Sequence, residues 1–446
     1  MQINVIGAGL SGSEAAWQAA ESGLKVKLFE MRPAVKSPAH ETNFFGELIC
    51  SNSLGSNLPE RASGMLKEEL RILNSLLLRI AEETALPAGS ALAVDRNDFA
   101  EKITQTLETH HNIQIIREEV TTIPNDPTII CTGPLTSDSF SKAIAEFTGN
   151  TNLFFFDAIA PIVNESSIDF SIAFRASRYD KGTDEEGDYI NCPMNKDQYL
   201  AFVNALIHAK KINIREFESD IQSGVNAGAG KFFEGCLPVE VMASRGPDTL
   251  AFGPLTPRGL MHHTDERPYA IVQLRRDNLA GSLYNLVGFQ TNLKFPEQKR
   301  VFRMIPGLQN AEFYRYGQMH RNTFLFAPDI LYQTLQTKKR PDMFIAGQLT
   351  GVEGYMGNIA TGLLAGINLA NHLQGKPLLE LPETTMLGAL TYYITHASQK
   401  DFQPMKSNFG ILPAQPKKIR DKRKRYLMYT ERGLTDLQKY LNENKG

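Results

Sequence analysis

Cysteine is scarce in this chain, and long hydrophobic runs are absent. The four cysteines, Cys50, Cys131, Cys192 and Cys236, are scattered and form no CxxC pair. This scarcity argues against a disulfide framework or a zinc ribbon and fits a reducing cytoplasm, where we expect the protein to be located. No apolar run approaches the roughly 18 residues needed to cross a membrane, so no membrane partner is expected. The N-terminal "MQINVIGAGLSG" lacks a basic region and predicts a first strand, not a signal peptide.

Charge of one sign does not dominate the chain either. The formal net charge of the 446 residues is −2, and the sequence contains no low-complexity tract or internal repeat. The bulk charge therefore gives no argument for nucleic acid, and any nucleic-acid surface must be a local patch. The length predicts two to three domains with large buried cores. At 42% hydrophobic and 22% charged residues, the composition is that of an ordinary globular protein.

The first 30 residues predict a strand–helix–strand unit. "INVIG" is a short apolar strand, "SEAAWQAAESG" is a helix that Gly23 ends, and "LKVKLFE" is a strand that ends on Glu30. Gly7, Gly9 and Gly12 form a GxGxxG motif between the first strand and the helix. These glycines allow a tight turn, the close approach of a pyrophosphate and tight helix packing, while Glu30 can bind a ribose. The unit predicts a dinucleotide site of Rossmann type.

Two later segments favour FAD over NAD as the dinucleotide. "TIICTGP" resembles a short strand of the glutathione-reductase-type flavoproteins, and "MFIAGQLTG…GNIATGLLAGINLA" resembles their second flavin motif. In that motif a helix N-terminus stabilises the reduced ring. The fold class is therefore expected to be α/β, with a glutathione-reductase-type FAD-binding Rossmann-like domain and an inserted smaller α/β domain. The residues predicted to bind the cofactor are Gly7, Ala8, Gly9, Leu10, Ser11, Gly12, Glu30, Arg32, Val120, Thr132, Gly133, Gly347, Gly351, Asn358, Ala360 and Thr361.

The remaining pattern suggests how the chain is divided. An irregular segment covers residues 31–63, and a leucine stripe from Met65 to Ile80 predicts one helix that stops near Pro87. Alternating strands such as "YAIVQLRR" and "LYNLVGF" lie within a module of different character. We expect residues 1–170 to form the first part of the FAD-binding domain, 171–320 an inserted substrate domain for tRNA and folate, and 321–446 the second part, ending in the basic "KKIRDKRKR".

Long motifs then point to one family. "LFEMRP", "ELICSNSLGS", "LPAGSALAVDR", "FFEGCLPVEV", "LVGFQTNLKFPEQKR" and "GQLTGVEGY" resemble the folate- and FAD-dependent tRNA uracil-C5-methyltransferases (TrmFO) over residues 1–412. The related GidA family shares the flavin halves but lacks this pair of cysteine contexts. The resemblance implies methylation of C5 of uridine 54 in the T-loop of tRNA. It also implies 5,10-methylenetetrahydrofolate as the carbon donor, and FAD and NAD(P)H as the source of reducing power. No second GxGxxG motif is present, so NAD(P)H is expected to dock transiently over the flavin.

The same resemblance assigns chemistry to two cysteines. Cys50 and Cys236 match the catalytic pair of the family. A thiolate that adds to C6 of uracil turns C5 into a nucleophile, and the second cysteine would act at C5. We favour Cys236 as the nucleophile and Cys50 as the partner on the flavin side, and the reverse assignment stays open. Either thiol needs cationic or dipolar neighbours, whereas Cys131 and Cys192 are expected to be small buried hydrophobic residues.

Substrate contacts are expected on both modules. Gln290, Lys294, His320 and Tyr355 lie in motifs that match the family, and Tyr355 could equally stack on a pterin or pack in the core. The basic tail could bind phosphates through counterion release or be a solvated charged end. No metal site is predicted, and the oligomeric state is left open. The basic residues of the inserted module expected to contact RNA are Arg175, Arg178, Arg275, Arg276, Lys294, Lys299 and Arg300.

Three other functions remain to be distinguished. A paralogue could methylate a uracil of ribosomal RNA. A flavoprotein of GidA type could bind tRNA with catalysis secondary. A generic flavin oxidoreductase would account for the glycine motifs but not for the cysteine contexts.

Overall fold

The computed structural model describes residues 1–37, 39–149, 153–158, 160–180, 182, 187–212, 237–260, 266–398, 402–415 and 419–444. For residues 153–158 and 319–322 the description covers the backbone alone. The helices are α1 Leu10–Glu21, α2 Ala62–Ile72, α3 Leu76–Glu83, α4 Arg96–Glu108, α5 Asp138–Thr148, α6 Lys196–Ile207, α7 Val239–Ser244, α8 Phe295–Phe302, α9 Ala327–Ile330, α10 Tyr355–Leu373, α11 Met386–His396 and α12 Lys422–Glu443.

The strands form two main sheets. They are β1 Gln2–Ile6, β2 Lys25–Phe29, β3 Ser53–Ser56, β4 Ala85–Leu86, β5 Ala91–Val94, β6 Ile113–Ile116, β7 Thr128–Ile130, β8 Leu153–Ala158, β9 Ile162–Asn164, β10 Phe174–Ala176, β11 Tyr189–Met194, β12 Ala270–Arg276, β13 Leu283–Leu286, β14 Phe313–Arg315, β15 Met319–Phe324, β16 Met343–Ile345, β17 Val352–Glu353 and β18 Met405–Lys406.

The first sheet is parallel and carries the predicted dinucleotide unit. Its order is β16-β7-β1-β2-β6, so β1 lies at its centre. Strands β7 and β16 are short and buried throughout, as expected for a parallel sheet that is covered on both faces, whereas β2 alternates and has Lys25 exposed. Helices α1 and α10 run side by side on one face because both have small residues at the contact. A Cβ on Gly362 would lie 2.1 Å from the Ser11 carbonyl oxygen, and one on Gly366 would lie 2.6 Å from that of Ala15.

The second sheet is antiparallel and has its own core. Its order is β10-β11-β12-β13-β9-β14, and Tyr199, Phe202, Phe289 and Phe302 are buried beside it. Strand β9 belongs to this sheet although it precedes residue 171, so the second module draws on residues just before the predicted start. The chain passes between the two modules along β8 and β15, which pair antiparallel. Among the residues described, no helix has both the length and the apolar character to cross a bilayer.

The single helix predicted from Met65 to Ile80 is wrong. Two helices, α2 and α3, occupy this stretch, and Asn74 between them adopts a left-handed conformation with φ 57°. Ser75 then caps α3 by accepting the Leu78 N–H at 3.2 Å. The leucine stripe continues through the break, so hydrophobic periodicity alone did not reveal it.

Candidate functional site

A cleft of about 980 Å³, part of it open to solvent, lies at the carboxyl edge of the parallel sheet. This is the edge at which open α/β sheets bind their ligands. The predicted cofactor residues that line the cleft are Gly7, Gly9, Leu10, Ser11, Glu30, Arg32, Val120, Thr132, Gly133, Gly347 and Asn358. Ala8, Gly12, Gly351, Ala360 and Thr361 do not line it.

The three glycines of the first turn have different surroundings. Gly7 has φ 95°, and a Cβ there would lie 2.7 Å from the Cys131 carbonyl oxygen. A Cβ on Gly12 would lie 1.7 Å from the Gly7 carbonyl oxygen. A Cβ on Gly9 would meet no atom within 4 Å, because it would project into the cleft. Gly9 is also the N-cap of α1 and offers no capping side chain, so the first N–H groups of the helix are available to an anion.

Glu30 and Arg32 form a buried ion pair at the opposite wall of the turn. Glu30 accepts the Ala8 N–H at 3.2 Å and the Arg32 Nε–H at 2.8 Å. Arg32 also donates to Glu47 at 3.0 Å. Burial acts to raise the pKa of Glu30, but the hydrogen bonds and the charge of Arg32 outweigh it and lower that pKa. The carboxylate is therefore ionised and can accept hydrogen bonds from the hydroxyl groups of a ribose.

The start of α10 forms the other end of the cleft. The Asn358 Oδ1 is buried and accepts no hydrogen bond from the part of the chain that the structure describes. Gly347 has φ 81°, and its N–H donates to the Thr361 hydroxyl at 3.0 Å. A Cβ on Gly351 would lie 2.8 Å from the Phe402 ring. Thr361 and Gly351 thus shape the loop before α10, and Ala360 is fully buried in its packing.

Several lining residues were missed from the sequence. They include His40, Glu47, Thr136, Ser137 and Gln348. Glu47 opens the motif "ELICSNSLGS" and accepts hydrogen bonds from Arg32 and from the Thr42 N–H and hydroxyl, so that motif held a signal for it. The others have no local pattern, because they follow strands and turns whose positions depend on the fold.

Cys50 directly follows Ile49, which lines this cleft, and Cys50 itself is half-buried. The Cys50 N–H and the Ser51 N–H donate to the Tyr355 hydroxyl at 2.8 Å and 3.0 Å. Tyr355 is the first residue of α10 and also lines the cleft. Burial and then the negative charge of Cys50 raise the pKa of Tyr355, so this phenol is neutral at ordinary pH. Tyr355 therefore anchors the cysteine loop beside the cofactor cleft.

Two arginines from different domains hold the same loop. Arg96, at the start of α4, donates to the Leu48 carbonyl and forms an ion pair with Asp277 at 2.9 Å. Arg275, on β12, donates to the Ser51 hydroxyl at 2.7 Å and to the Asn52 Oδ1 at 2.9 Å. Burial acts to lower the pKa of Arg96, but Asp277 outweighs it and raises that pKa.

The predicted RNA contact at Arg275 is wrong, because this side chain is buried between the domains. Only 8% of Arg275 is exposed. Arg175 is also engaged internally, since it donates to the Tyr284 hydroxyl and to Glu165, each at 2.8 Å. Lys294, Lys299 and Arg300 are exposed around α8.

The other predicted substrate residues are placed as follows. Gln290 is half-buried, and its carbonyl accepts the Val239 N–H at 2.7 Å. His320 lies on β15 opposite Asp157 in the backbone register, and its side chain is not described. Cys236 lies outside the described residues. Its downstream neighbour Leu237 is buried.

Cys131 and Cys192 are structural, which confirms the prediction. Both are buried, with 3% and 0% of their surfaces exposed. Burial raises the pKa of each thiol to about 12. Neither thiol forms a reactive thiolate near neutral pH.

The fold and cleft define a class: a two-domain α/β protein with a Rossmann-type dinucleotide-binding domain. Residues 2–377 match the model of the family described as glucose inhibited division protein A. Two solved structures of Aquifex aeolicus GidA resemble the chain with TM-scores of 0.67 and 0.68 at 18% identity. They cover 99% of this chain and 75% and 77% of theirs, which confirms the predicted fold.

Curated relatives carry a more specific name. The methylenetetrahydrofolate–tRNA-(uracil-5-)-methyltransferase TrmFO of Ligilactobacillus salivarius is 53% identical over 443 residues, 99% of both chains. The proteins of the same name from Enterococcus faecalis and Bacillus subtilis are 54% and 52% identical, over 97% and 98% of both chains. The chain therefore belongs to the GidA family and, within it, to the TrmFO family of methylenetetrahydrofolate–tRNA-(uracil-5-)-methyltransferases.

Proposed function

We propose that this protein methylates C5 of uridine 54 in the T-loop of tRNA, with 5,10-methylenetetrahydrofolate as carbon donor and FAD and NAD(P)H as the source of reducing power. Relatives that match nearly the full length are named for tRNA uracil-5 methylation with this folate. The observation that carries the proposal is the position of Cys50. Its loop is fixed to Tyr355, the first residue of the helix that closes the dinucleotide cleft.

The residues of the cleft fit FAD. The open space beside Gly9 and the uncapped start of α1 suit a pyrophosphate, and the ionised Glu30 suits a ribose. The buried Asn358 Oδ1 needs a hydrogen-bond donor, which a flavin ring or its ribityl chain can provide. Bound FAD would supply the electrons that reduce the transferred one-carbon unit to a methyl group.

The chain's own cysteines would activate the base. The Cys236 thiolate forms a bond to C6 of uracil, and the electron pair of the C5–C6 double bond moves to C5 and O4. C5 then attacks the one-carbon unit. Cys50 removes the C5 proton, and the nitrogen that carried the one-carbon unit leaves, so that an exocyclic methylene remains at C5. A hydride from the bound reductant would complete the methyl group, while the C5–C6 double bond re-forms and the Cys236 sulfur leaves C6. This order of roles requires the second domain, which carries Cys236, to face the Cys50 loop, and the contacts of Arg96 and Arg275 support that arrangement.

Substrate RNA would dock on the second domain, for which we propose residues 171–320 together with strand β9 of the same sheet. Lys294, Lys299 and Arg300 provide exposed positive charge around one short helix. Gln290 and His320 are proposed as folate or RNA contacts, and NAD(P)H is proposed to dock over the flavin. The basic residues that start α12 are a further source of phosphate contacts.

Purified protein incubated with unmodified tRNA tests this proposal. We expect 5-methyluridine at position 54, detected by mass spectrometry, when methylenetetrahydrofolate and NAD(P)H are both present. Cys236→Ala should abolish the product because it removes the nucleophile. Cys192→Ala, a buried cysteine of the same domain, should retain it. Product formed with S-adenosylmethionine as the only donor would contradict the proposal.

A tRNA-binding role without catalysis is the second candidate. The family model and the GidA-like fold are compatible with it, because neither carries the methyltransferase name. In that case Cys236→Ala would leave the biological activity intact and no 5-methyluridine would form. The same incubation with ribosomal RNA in place of tRNA tests whether the protein instead methylates a uracil of ribosomal RNA.

A further inference from the structure

The loop of Cys50 is held by more polar contacts than a surface loop needs. Among the described residues, Arg96 binds the Leu48 carbonyl, Tyr355 binds the N–H groups of Cys50 and Ser51, and Arg275 binds the Ser51 hydroxyl. Asn52 adds two donated bonds, to the Val94 carbonyl at 3.0 Å and to the Arg276 carbonyl at 2.8 Å. The cysteine is therefore fixed in position from both domains.

The two guanidinium groups also act on the sulfur electrostatically. Arg96 donates to the Leu48 carbonyl and Arg275 donates to the Ser51 hydroxyl, so both guanidinium groups lie beside the loop of Cys50. Burial acts to lower the pKa of both groups, Asp277 acts to raise it, and the charge of Cys50 is a smaller influence in the raising direction. Burial is the largest influence on Arg275 and lowers its pKa, but a guanidinium group stays protonated at neutral pH. Buried positive charge requires nearby negative charge.

Asp277 provides one negative charge for the two arginines. It pairs with Arg96 at 2.9 Å and also acts on Arg275. Two phenols interact with these arginines: Tyr355 with Arg96, and Tyr189 with Arg275 and Arg178. Burial raises the pKa of both phenols, so neither provides an anion.

Two further carboxylates near the loop have their own partners. Asp95 accepts the Asn97 and Asp98 N–H groups at the start of α4, and its other oxygen accepts the Leu279 N–H at 2.5 Å. Glu47, three residues before Cys50, is paired with Arg32. Backbone N–H groups are neutral, so Asp95 keeps its negative charge beside Arg96. A Cys50 thiolate would add negative charge beside Arg275, which donates to the neighbouring Ser51 hydroxyl.

We propose that Arg275 and Arg96 are positioning residues that hold Cys50 as a thiolate. The role of Cys50 in this inference rests on the proposed function. The protonation state of its sulfur does not, and it can be measured without the methylation reaction. Arg275 comes from the second domain, so the thiolate depends on contact between the domains. The reactive form of Cys50 is thereby coupled to the module that brings Cys236 and the RNA.

The rate of Cys50 alkylation by iodoacetamide across pH 5–10 tests the proposal. In this reaction the thiolate forms a carbon–sulfur bond and iodide leaves, so the rate follows the thiolate fraction. The FAD-loaded protein is used, and mass spectrometry of the peptide that contains Cys50 separates it from the other thiols. No tRNA or folate is present, so failure here and failure of the methylation assay are distinguishable.

Removal of a positive charge and removal of a negative charge should shift the pH midpoint of Cys50 alkylation in opposite directions. Arg275→Gln should raise the pH midpoint by about one unit and slow alkylation at pH 7 several-fold, because a cation is lost. Arg275→Lys should restore most of the rate. Asp277→Asn should lower the midpoint, because it removes a competing negative charge. Arg303→Gln is the matched control, since Arg303 donates to the Ala311 carbonyl in the same domain, and it should leave the profile unchanged.

An unchanged profile in Arg275→Gln would overturn the proposal. A midpoint that rises in Asp277→Asn would also overturn it, because removal of a negative charge beside the two arginines must favour the thiolate if their charge holds it. A shift of the midpoint in Arg303→Gln as large as that in Arg275→Gln would overturn the proposal too, because it would show a general structural effect. If Arg275→Gln does not fold, Asp277→Asn decides: a downward shift supports the proposal, and no shift or an upward shift refutes it.

Discussion

Gly9 and Gly12 lie in the same turn, yet a side chain at each would meet different surroundings. Gly9 has φ −72° and ψ −167°, a conformation open to any residue, and its missing Cβ points into the cleft. A Cβ on Gly12 would lie only 1.7 Å from the Gly7 carbonyl oxygen. One glycine makes room for a ligand, and the other makes room for the protein itself.

These surroundings predict different outcomes for two similar variants. Gly9→Ala should weaken FAD binding about tenfold or more, because the methyl group occupies the space of the pyrophosphate, while the thermal stability of the FAD-free protein stays the same. Gly12→Ala should lose about 3 kcal/mol or more of unfolding free energy, because helix and turn must separate. Flavin fluorescence titration and calorimetry measure the two quantities. Equal affinity for FAD in Gly9→Ala and wild type would show that the pyrophosphate lies elsewhere.

At the scale of helices, buried carboxylates fix where elements begin. Glu14 of α1 accepts the Leu76 and Leu77 N–H groups at the start of α3. Glu69 of α2 accepts the Met386 and Leu387 N–H groups at the start of α11. Burial raises the pKa of both carboxyl groups, and that of Glu69 to about 8, although the hydrogen bonds act against it.

This arrangement explains why the helix prediction from Met65 failed. The break at Asn74 is stabilised by a carboxylate from α1, about sixty residues earlier in the chain, and no local pattern announces such a partner. Within the Rossmann unit the opposite holds. Its turn, helix and strand depend on neighbouring residues, so Gly7, Gly12 and Glu30 were predictable from the sequence.

Glu69 should make stability depend on pH. Its folded-state pKa of about 8 lies above the ordinary 4.5, so its contribution is complete below pH 4.5 and is lost as pH rises through 8. The difference corresponds to at most about 5 kcal/mol. Glu69→Gln, which keeps an acceptor oxygen, should lose less unfolding free energy between pH 5 and pH 8 than wild type does.

Denaturant titrations at the two pH values measure this difference. Glu83→Gln, an exposed carboxylate paired with Lys102, should behave like wild type. Lys67, whose pKa is lowered to about 7 by burial, changes stability in the opposite sense, but it is common to all three proteins and cancels in the comparison. Identical pH dependence in Glu69→Gln and wild type would show that this carboxyl group is not held at a raised pKa.

At the scale of the whole molecule, the site lies where the two domains meet. Three parts of the chain that are distant in sequence lie close in space here: residues 48–52, Arg96 and residues 275–277. The sequence indicated that Cys50 needs cationic neighbours but did not identify them, because their proximity depends on how the second sheet docks. The placement of Arg275 on an RNA surface failed for the same reason.

The most direct measurement is covalent capture of tRNA that carries 5-fluorouridine at position 54. Addition of a thiolate to C6 and transfer of the one-carbon unit to C5 leave fluorine where a proton would be removed, so the enzyme and the base remain joined. We predict a one-to-one adduct that forms with methylenetetrahydrofolate, FAD and NAD(P)H and whose cross-linked peptide contains Cys236. No adduct, or an adduct that persists unchanged in Cys236→Ala, would contradict it.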